Sequence, residues 1–304
     1  MKKGIKNLAI ATMVGVAATG LLTGCKLKEP KPYIQVSGFD AGYMIGEEIN
    51  LDGAKILYYS DKNDTTADEI KLTESMVANF NTETEGEKKM KVFFNGCELE
   101  IDYSVISTTE FINLYNTAFD NLMNAENVHG ELYMTLGTQE MKIYSNVKNN
   151  KYYSKMEFGD EIEQEWIEQY NNEWFDYLIE DTTEGMKYRM YNVSEEILNG
   201  KVMERAITNF IGQSTKLNEE AISNARISVD LDSDTLILIV KFGGSDESNE
   251  IKFMINEQKF IGVEMVERYS EGEGTLHYSS TISYNAEDVE MVDLPGNIEW
   301  EVEE

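Results

Sequence analysis

Ser107-Thr108-Thr109-Glu110 opens a stretch in which Phe111, Tyr115, Ala118, Phe119 and Leu122 recur at helical spacing up to about Ala125. Gly130-Glu131-Leu132-Tyr133-Met134-Thr135-Leu136 then switches to alternation. The first four residues fit a capping box, in which a hydroxyl and a glutamate three positions on satisfy free backbone donors at a helix start. An amphipathic helix of this length is not stable alone, so the stripe implies a helix laid on a sheet.

Strand-like runs continue through Met141-Lys142-Ile143-Tyr144-Ser145, Lys151 to Met156 and Trp174 to Ile179. A second helical stretch from about Val193 to Gly212 interrupts them. Strands resume at Ile227–Leu231, Thr235–Phe242, Glu250–Ile255, Phe260–Arg268 and Thr275–Tyr284. The order is one helix, about four strands, a second helix and about five strands. It predicts a mainly β fold with two helical segments over residues 106–304, and the same order resembles the periplasmic lipoprotein-carrier fold, which implies an open antiparallel half-barrel covered by helices.

Upstream, residues 33–105 alternate with period two: Ile34-Gln35-Val36, Ile49-Asn50-Leu51, Ile56-Leu57-Tyr58-Tyr59, Met90 to Phe94 and Leu99 to Tyr103. Gly53, Asp61-Lys62-Asn63-Asp64 and Asn95-Gly96 fall between the runs. That pattern predicts a small antiparallel β-sandwich. The residues Tyr43-Met44-Ile45-Gly46-Glu47, Leu51 to Ile56, Tyr58-Tyr59-Ser60-Asp61, Met76-Val77, Phe80-Asn81-Thr82 and Gly86 to Val92 occur in an order that resembles the bacterial immunoglobulin-like domain of group 3. The resemblance runs from about Ile34 to Val105. It implies a spacer or adhesive module with no catalytic residues. Cys97 departs from the pattern at the last hairpin, either as a buried small hydrophobe or as a thiol for an intermolecular bond.

The second segment resembles the periplasmic lipoprotein-carrier fold, with its LolA-like and LppX-like members. The likeness lies in Asn124-Ala125-Glu126-Asn127 ending the first helix, in the long meander, and in a last strand closing at Val289 to Pro295. It is architectural and carries no motif that transfers a function.

At the N-terminus, Lys2, Lys3 and Lys6 precede an uncharged run to Cys25. The apolar stretch Leu8–Leu22 is 15 residues long, shorter than the roughly 20 a spanning helix needs. It reads as a signal peptide over residues 1–24. Leu22-Thr23-Gly24-Cys25 resembles the lipobox of bacterial lipoproteins. This implies a diacylglycerol on the Cys25 sulfur, a charged tether over 25–32, and an extracytoplasmic protein held on the cell membrane by lipid. Each buried methylene contributes roughly 0.8 kcal/mol, so stable attachment takes two or more chains.

Once Cys25 is acylated, Cys97 has no partner, and the exported part must rest on packed cores without a disulfide. Residues 26–105 carry 9 Lys and 16 acids, a net of −7, whereas 106–304 carry 14 Lys or Arg and 40 acids, a net of −26. A field of that sign repels phosphate backbones and argues against nucleic acid as a partner. His129 and His277 are the only histidines and show no metal-ligand spacing, so no metal centre is expected. No nucleophile elbow, phosphate loop or dinucleotide fingerprint occurs. The acidic run Asp160–Glu168 lacks the order of a calcium loop and is taken as a solvated face. Gly243-Gly244-Ser245-Asp246 is taken as a polar hairpin turn.

No cofactor beyond the lipid and no enzymatic activity are expected. Methionines are numerous after residue 130 and either fill the core or line an acyl-chain cavity. In the second case the helix would contribute Phe111, Tyr115, Phe119 and Leu122, and the sheet Leu132, Met134 and Leu136. The resulting expectation is a membrane-anchored surface lipoprotein, a spacer or adhesive module joined to a domain for a lipid or other apolar ligand. The alternative is an adhesin for a surface polymer or protein, or a structural or sensory lipoprotein without ligand.

Overall fold

A computed structural model describes residues 31–183, 185–193, 202–212, 215–232, 234–242, 249–268, 275–285, 287–296 and 298–303. The signal peptide, Cys25, most of the tether, the Gly243–Asp246 turn and the start of the second helical stretch lie outside the described residues. The chain divides into two compact units. One takes in the residues up to 108 together with 228–236, and the other 109–227 with 237–304.

In the first unit, β1 (Tyr33–Ser37), β3 (Lys55–Tyr59) and β4 (Asp68–Lys71) form a three-stranded sheet in the order β1-β3-β4. The strands β2 (Gly42–Met44), β5 (Val77–Ala78), β6 (Gly86–Phe94) and β7 (Cys97–Ile106) form a second sheet in the order β2-β7-β6-β5. All pairings are antiparallel except β2 with β7, which is parallel. Alternation explains the strands: Met90 and Val92 of β6, and Ile101, Tyr103 and Val105 of β7, are buried on one face, while the intervening Lys91 and Ser104 are half-buried and Asp102 is exposed. They share a core with Ile34 and Ile56 of the other sheet.

Aromatic rings fix that core. Tyr43 is edge-on to Phe80 at 4.8 Å, and Phe80 stacks on Tyr103 at 5.0 Å. The Tyr103 hydroxyl accepts from Asn81 N at 2.8 Å and donates to Asn81 O at 3.0 Å, which pins the strand entry. Cys97 is half-buried, packs against this core and is a free thiol.

The remaining strands form a twelve-stranded sheet among the described residues. After α1 (Thr108–Met123) come β8 (Asn127–Leu136), β9 (Gln139–Lys148), β10 (Lys151–Phe158), β11 (Glu161–Tyr170), β12 (Glu173–Thr182) and β13 (Gly185–Val193). Then follow α2 (Met203–Ile211), α3 (Glu219–Ile222), β14 (Arg226–Asp232), β15 (Thr235–Phe242), β16 (Asn249–Asn256), β17 (Lys259–Arg268), β18 (Thr275–Ser283) and β19 (Glu301–Glu303). The order is β14-β15-β16-β17-β18-β8-β9-β10-β11-β12-β13-β19. Two antiparallel meanders are thus joined where β18 pairs with β8, and the sheet stays open. Among the described pairings of this sheet, β13 with β19 is parallel.

Six strands precede α2, not four. The acidic run is a strand, β11, with Trp166 and Ile167 buried among its glutamates; its charges hid the alternation. The missed strand β13 is mostly half-buried or exposed, which weakens its apolar signal. Val193 ends β13 and does not begin a helix. Gly212 closes α2 in the left-handed region at φ 69°, its N–H bonded to Thr208 O at 2.9 Å. The β9–β10 and β11–β12 turns are Asn149-Asn150 and Asn171-Asn172, both residues of each at positive φ. Asparagine tolerates that conformation, which matches the twist of a two-residue hairpin.

One face of β10–β13 is covered by the chain's own C-terminal segment. Tyr153, Trp166, Tyr177 and Ile179 form a core with Met291, Leu294, Ile298 and Trp300. The Trp166 indole N–H donates to Val292 O at 2.9 Å, Lys148 donates to Val289 O at 3.1 Å, and Trp300 is edge-on to Tyr177 at 5.1 Å. No helix among the described residues is long and apolar enough to cross a membrane.

Candidate functional site

The opposite face of the sheet carries the helices, and the strand registers set its side chains in rows. One row reads Met265, Tyr278, Met134, Met141, Phe158 and Glu161 across β17, β18, β8, β9, β10 and β11. The next reads Val263, Ser280, Leu132, Ile143, Met156, Glu163, Glu180 and Lys187, ending on β13. Both rows are mainly apolar as far as β10 and become charged at β11.

The third row begins Ile282, Gly130, Ser145, Ser154 and Glu165. It is where α2 docks. A Cβ on Gly130 would lie 2.3 Å from the Phe210 ring, so the glycine is what lets the helix approach. Ser280 Oγ donates to Phe210 O at 2.7 Å, and Asn209 Nδ2 donates to the Tyr152 hydroxyl at 2.5 Å. Tyr152 is fully buried there, and burial pushes its pKa well above the ordinary phenol value, with the Glu165 carboxylate adding to the rise. This polar cluster therefore positions α2 and stays uncharged across the physiological range.

The expected lining residues fall into two groups. Phe111, Tyr115 and Leu122 are fully buried and Phe119 nearly so. The Tyr115 ring is edge-on to Phe253 at 4.9 Å and to Phe260 at 5.2 Å, so the α1 stripe packs on β16 and β17. Asn116 bonds both N and O of Leu217, and Lys216 pairs with Asp120 at 2.6 Å, tying the segment before α3 to α1. Leu132, Met134 and Leu136 lie on β8, two strands from β17. Leu132 is buried, Met134 half-buried and Leu136 exposed at 37%. The helix stripe and the strand residues thus occupy different parts of the same face.

Part of the methionine rows remains open. A cleft of about 260 Å³ lies over Met141, Met156 and Phe158, with Ile162 at its edge and Glu161, Glu163, Glu180 and Thr182 around it. Phe158 is 38% exposed. Glu180 is held by Arg189 at 2.9 Å. Of these residues, reasoning from sequence had reached only the methionines. Phe158 and the acidic rim become visible once β11 is recognised as a strand registered on β10.

A second cleft, of about 350 Å³ and mainly polar, lies beside the end of α1 and includes Lys259 and Tyr284. Among the described residues no group of three His, Cys, Asp or Glu side chains is placed to hold a metal ion. His129 bonds Asn146 at 2.7 Å, and His277 is exposed on β18.

Neither a protein-family description nor a curated protein matches this chain. Among solved structures it is similar to the Mycobacterium tuberculosis lipoprotein LppX. That match has 12% identity and a TM-score of 0.27, over 58% of this chain and 95% of the other. It is similar also to a DUF1329 family protein from Desulfovibrio piger, with 10% identity and a TM-score of 0.22, over 58% and 90% of the two chains.

Proposed function

We propose that this protein is a lipid-anchored extracytoplasmic lipoprotein whose second unit binds an apolar ligand on the methionine rows of its helix face. The observation that carries the reading is the partly uncovered strip of Met134, Met141, Met156 and Phe158, which opens into the 260 Å³ cleft. Buried sheet faces are normally closed by rigid side chains in close contact. Unbranched thioethers instead adapt to an apolar guest of variable shape. The volume is slightly below the roughly 300–1,000 Å³ of drug-sized sites, so the cleft suits a short or terminal part of an acyl chain.

The floor of the cleft, Met141, Met156 and Phe158, supplies burial, and of the glutamates around it Glu180 is engaged by Arg189. The function is binding without turnover. In this reading the first unit is an immunoglobulin-like spacer over 33–105, and Cys25 carries the diacylglycerol that holds both units at the membrane.

Titration with an uncharged, environment-sensitive acyl probe tests the site. Wild-type protein is expected to bind at micromolar concentration, and Met141→Glu to lose most of that binding while unfolding at nearly the wild-type temperature. Equal binding by the two proteins would remove the strip from consideration. The anchor is tested separately: Cys25→Ser should abolish metabolic acyl labelling and release the protein from the membrane, and undiminished labelling would refute the assignment.

A further inference from the structure

The thioethers that floor the methionine cleft are open to chemical change as well as to a guest. Met141 and Met156 are half-buried and border its volume of about 260 Å³. Met141 pairs in register with Phe158, and Met156 lies two residues before Phe158 on the same face of β10, so the two methionines are diagonal neighbours. By contrast, Met90 and Met203 are closed within packed cores, at 0% and 2% exposure. We propose that Met141 and Met156 form a reversible oxidation site: hydrogen peroxide converts their thioethers to sulfoxides, and the cleft then releases its apolar ligand. The proposal rests on the apolar-ligand reading of the same cleft.

In the reaction a sulfur lone pair attacks one peroxide oxygen, and the O–O bond breaks as the S–O bond forms. The departing hydroxide takes the proton of the transferred oxygen and leaves as water. Each sulfur loses two electrons and the peroxide gains them.

The product changes what the cleft can hold. A sulfoxide is polar where the thioether was a flexible apolar chain, and its oxygen accepts hydrogen bonds. Around it, Glu161, Glu163 and Glu180 present carboxylates, which also accept, and the Thr182 hydroxyl already donates to Gly185 O at 3.3 Å. None of these offers the new oxygen a donor, so it turns to water. An acyl chain entering the cleft would then have to strip that water from a polar group, which is unfavourable. Two adjacent thioethers on one floor make the effect act on the site as a whole.

Peroxide titration of the whole chain provides the test, with sulfoxides located by peptide mass mapping and affinity read with the uncharged acyl probe. Met141 and Met156 should oxidise before Met90 and Met203. Affinity should then fall about ten-fold or more, as for a polar group placed in an apolar site, while the unfolding temperature stays nearly unchanged. Methionine sulfoxide reductases of both stereospecificities should restore binding. Met186 is the internal control, since it is 58% exposed on β13 and is not among the residues around the cleft; Met186→Leu should bind, and lose binding on oxidation, as the wild type does. The double variant Met141→Leu/Met156→Leu, with its own untreated affinity as the reference, should show no change on peroxide treatment. No binding by the untreated wild type would remove the apolar-ligand reading and the oxidation site with it. Binding by the wild type that survives sulfoxide formation at both methionines, a loss that the reductases do not reverse, or an equal loss in the double variant would overturn the oxidation site alone.

Discussion

Over β16 and β17 the helix face is closed by rings: Tyr115 meets Phe253 and Phe260 edge-on, and all three are fully buried. Over β8 to β10 the corresponding rows carry Met134, Met141, Met156 and Phe158, and none of these is buried. The same sheet face therefore has a filled half and an open half. Aromatic rings with few rotatable bonds lock into one packing and exclude a guest. Thioether chains keep rotamer freedom and leave room for one. Placement of rigid and flexible side chains, more than the fold, decides which half is core and which is site.

Substitutions should separate the halves. Phe253→Ala ought to cost about 3–5 kcal/mol, the range for emptying a packed aromatic site, as read by urea unfolding. Gly130→Ala should cost about 1–3 kcal/mol by overpacking, since the new methyl meets the Phe210 ring while Ser280 holds the helix backbone in place. Met141→Glu on the open half should change stability by no more than about 0.5–1 kcal/mol yet remove apolar binding. A loss there as large as at Phe253 would mean the methionine rows are ordinary core. Smallest of all is Tyr115→Phe. Its hydroxyl is buried with no partner, so removal should be neutral or stabilising by a few tenths of a kcal/mol, which isolates the ring as the part of Tyr115 that matters.

Much of this architecture is legible in the chain. The Phe111–Leu122 stripe with its capping box yields α1, and period-two alternation yields most strands, because both signals come from a single buried face. β11 escaped because its charged alternation, Glu161 to Glu168, flanks only two buried residues, Trp166 and Ile167. The face of each strand was also out of reach. That Met141 and Phe158 are neighbours follows only from the β9–β10 register. Likewise the burial of Phe111 and Tyr115 could be read from spacing, whereas their partners, Phe253 and Phe260, lie more than a hundred residues away and no local signal names them. The C-terminal segment over β10–β13 is similar: Trp300 reads as an isolated aromatic until it is found against Tyr177.

The sharpest test of the open half is native mass spectrometry of the chain from Lys26 onward, purified without detergent so that the anchor is absent. After incubation with an uncharged monoacylglycerol, the wild type should show an added mass equal to one ligand, and Met141→Glu should show the bare protein. Bare wild-type protein after repeated exposure, or equal adducts on both proteins, would contradict a ligand site on the methionine rows.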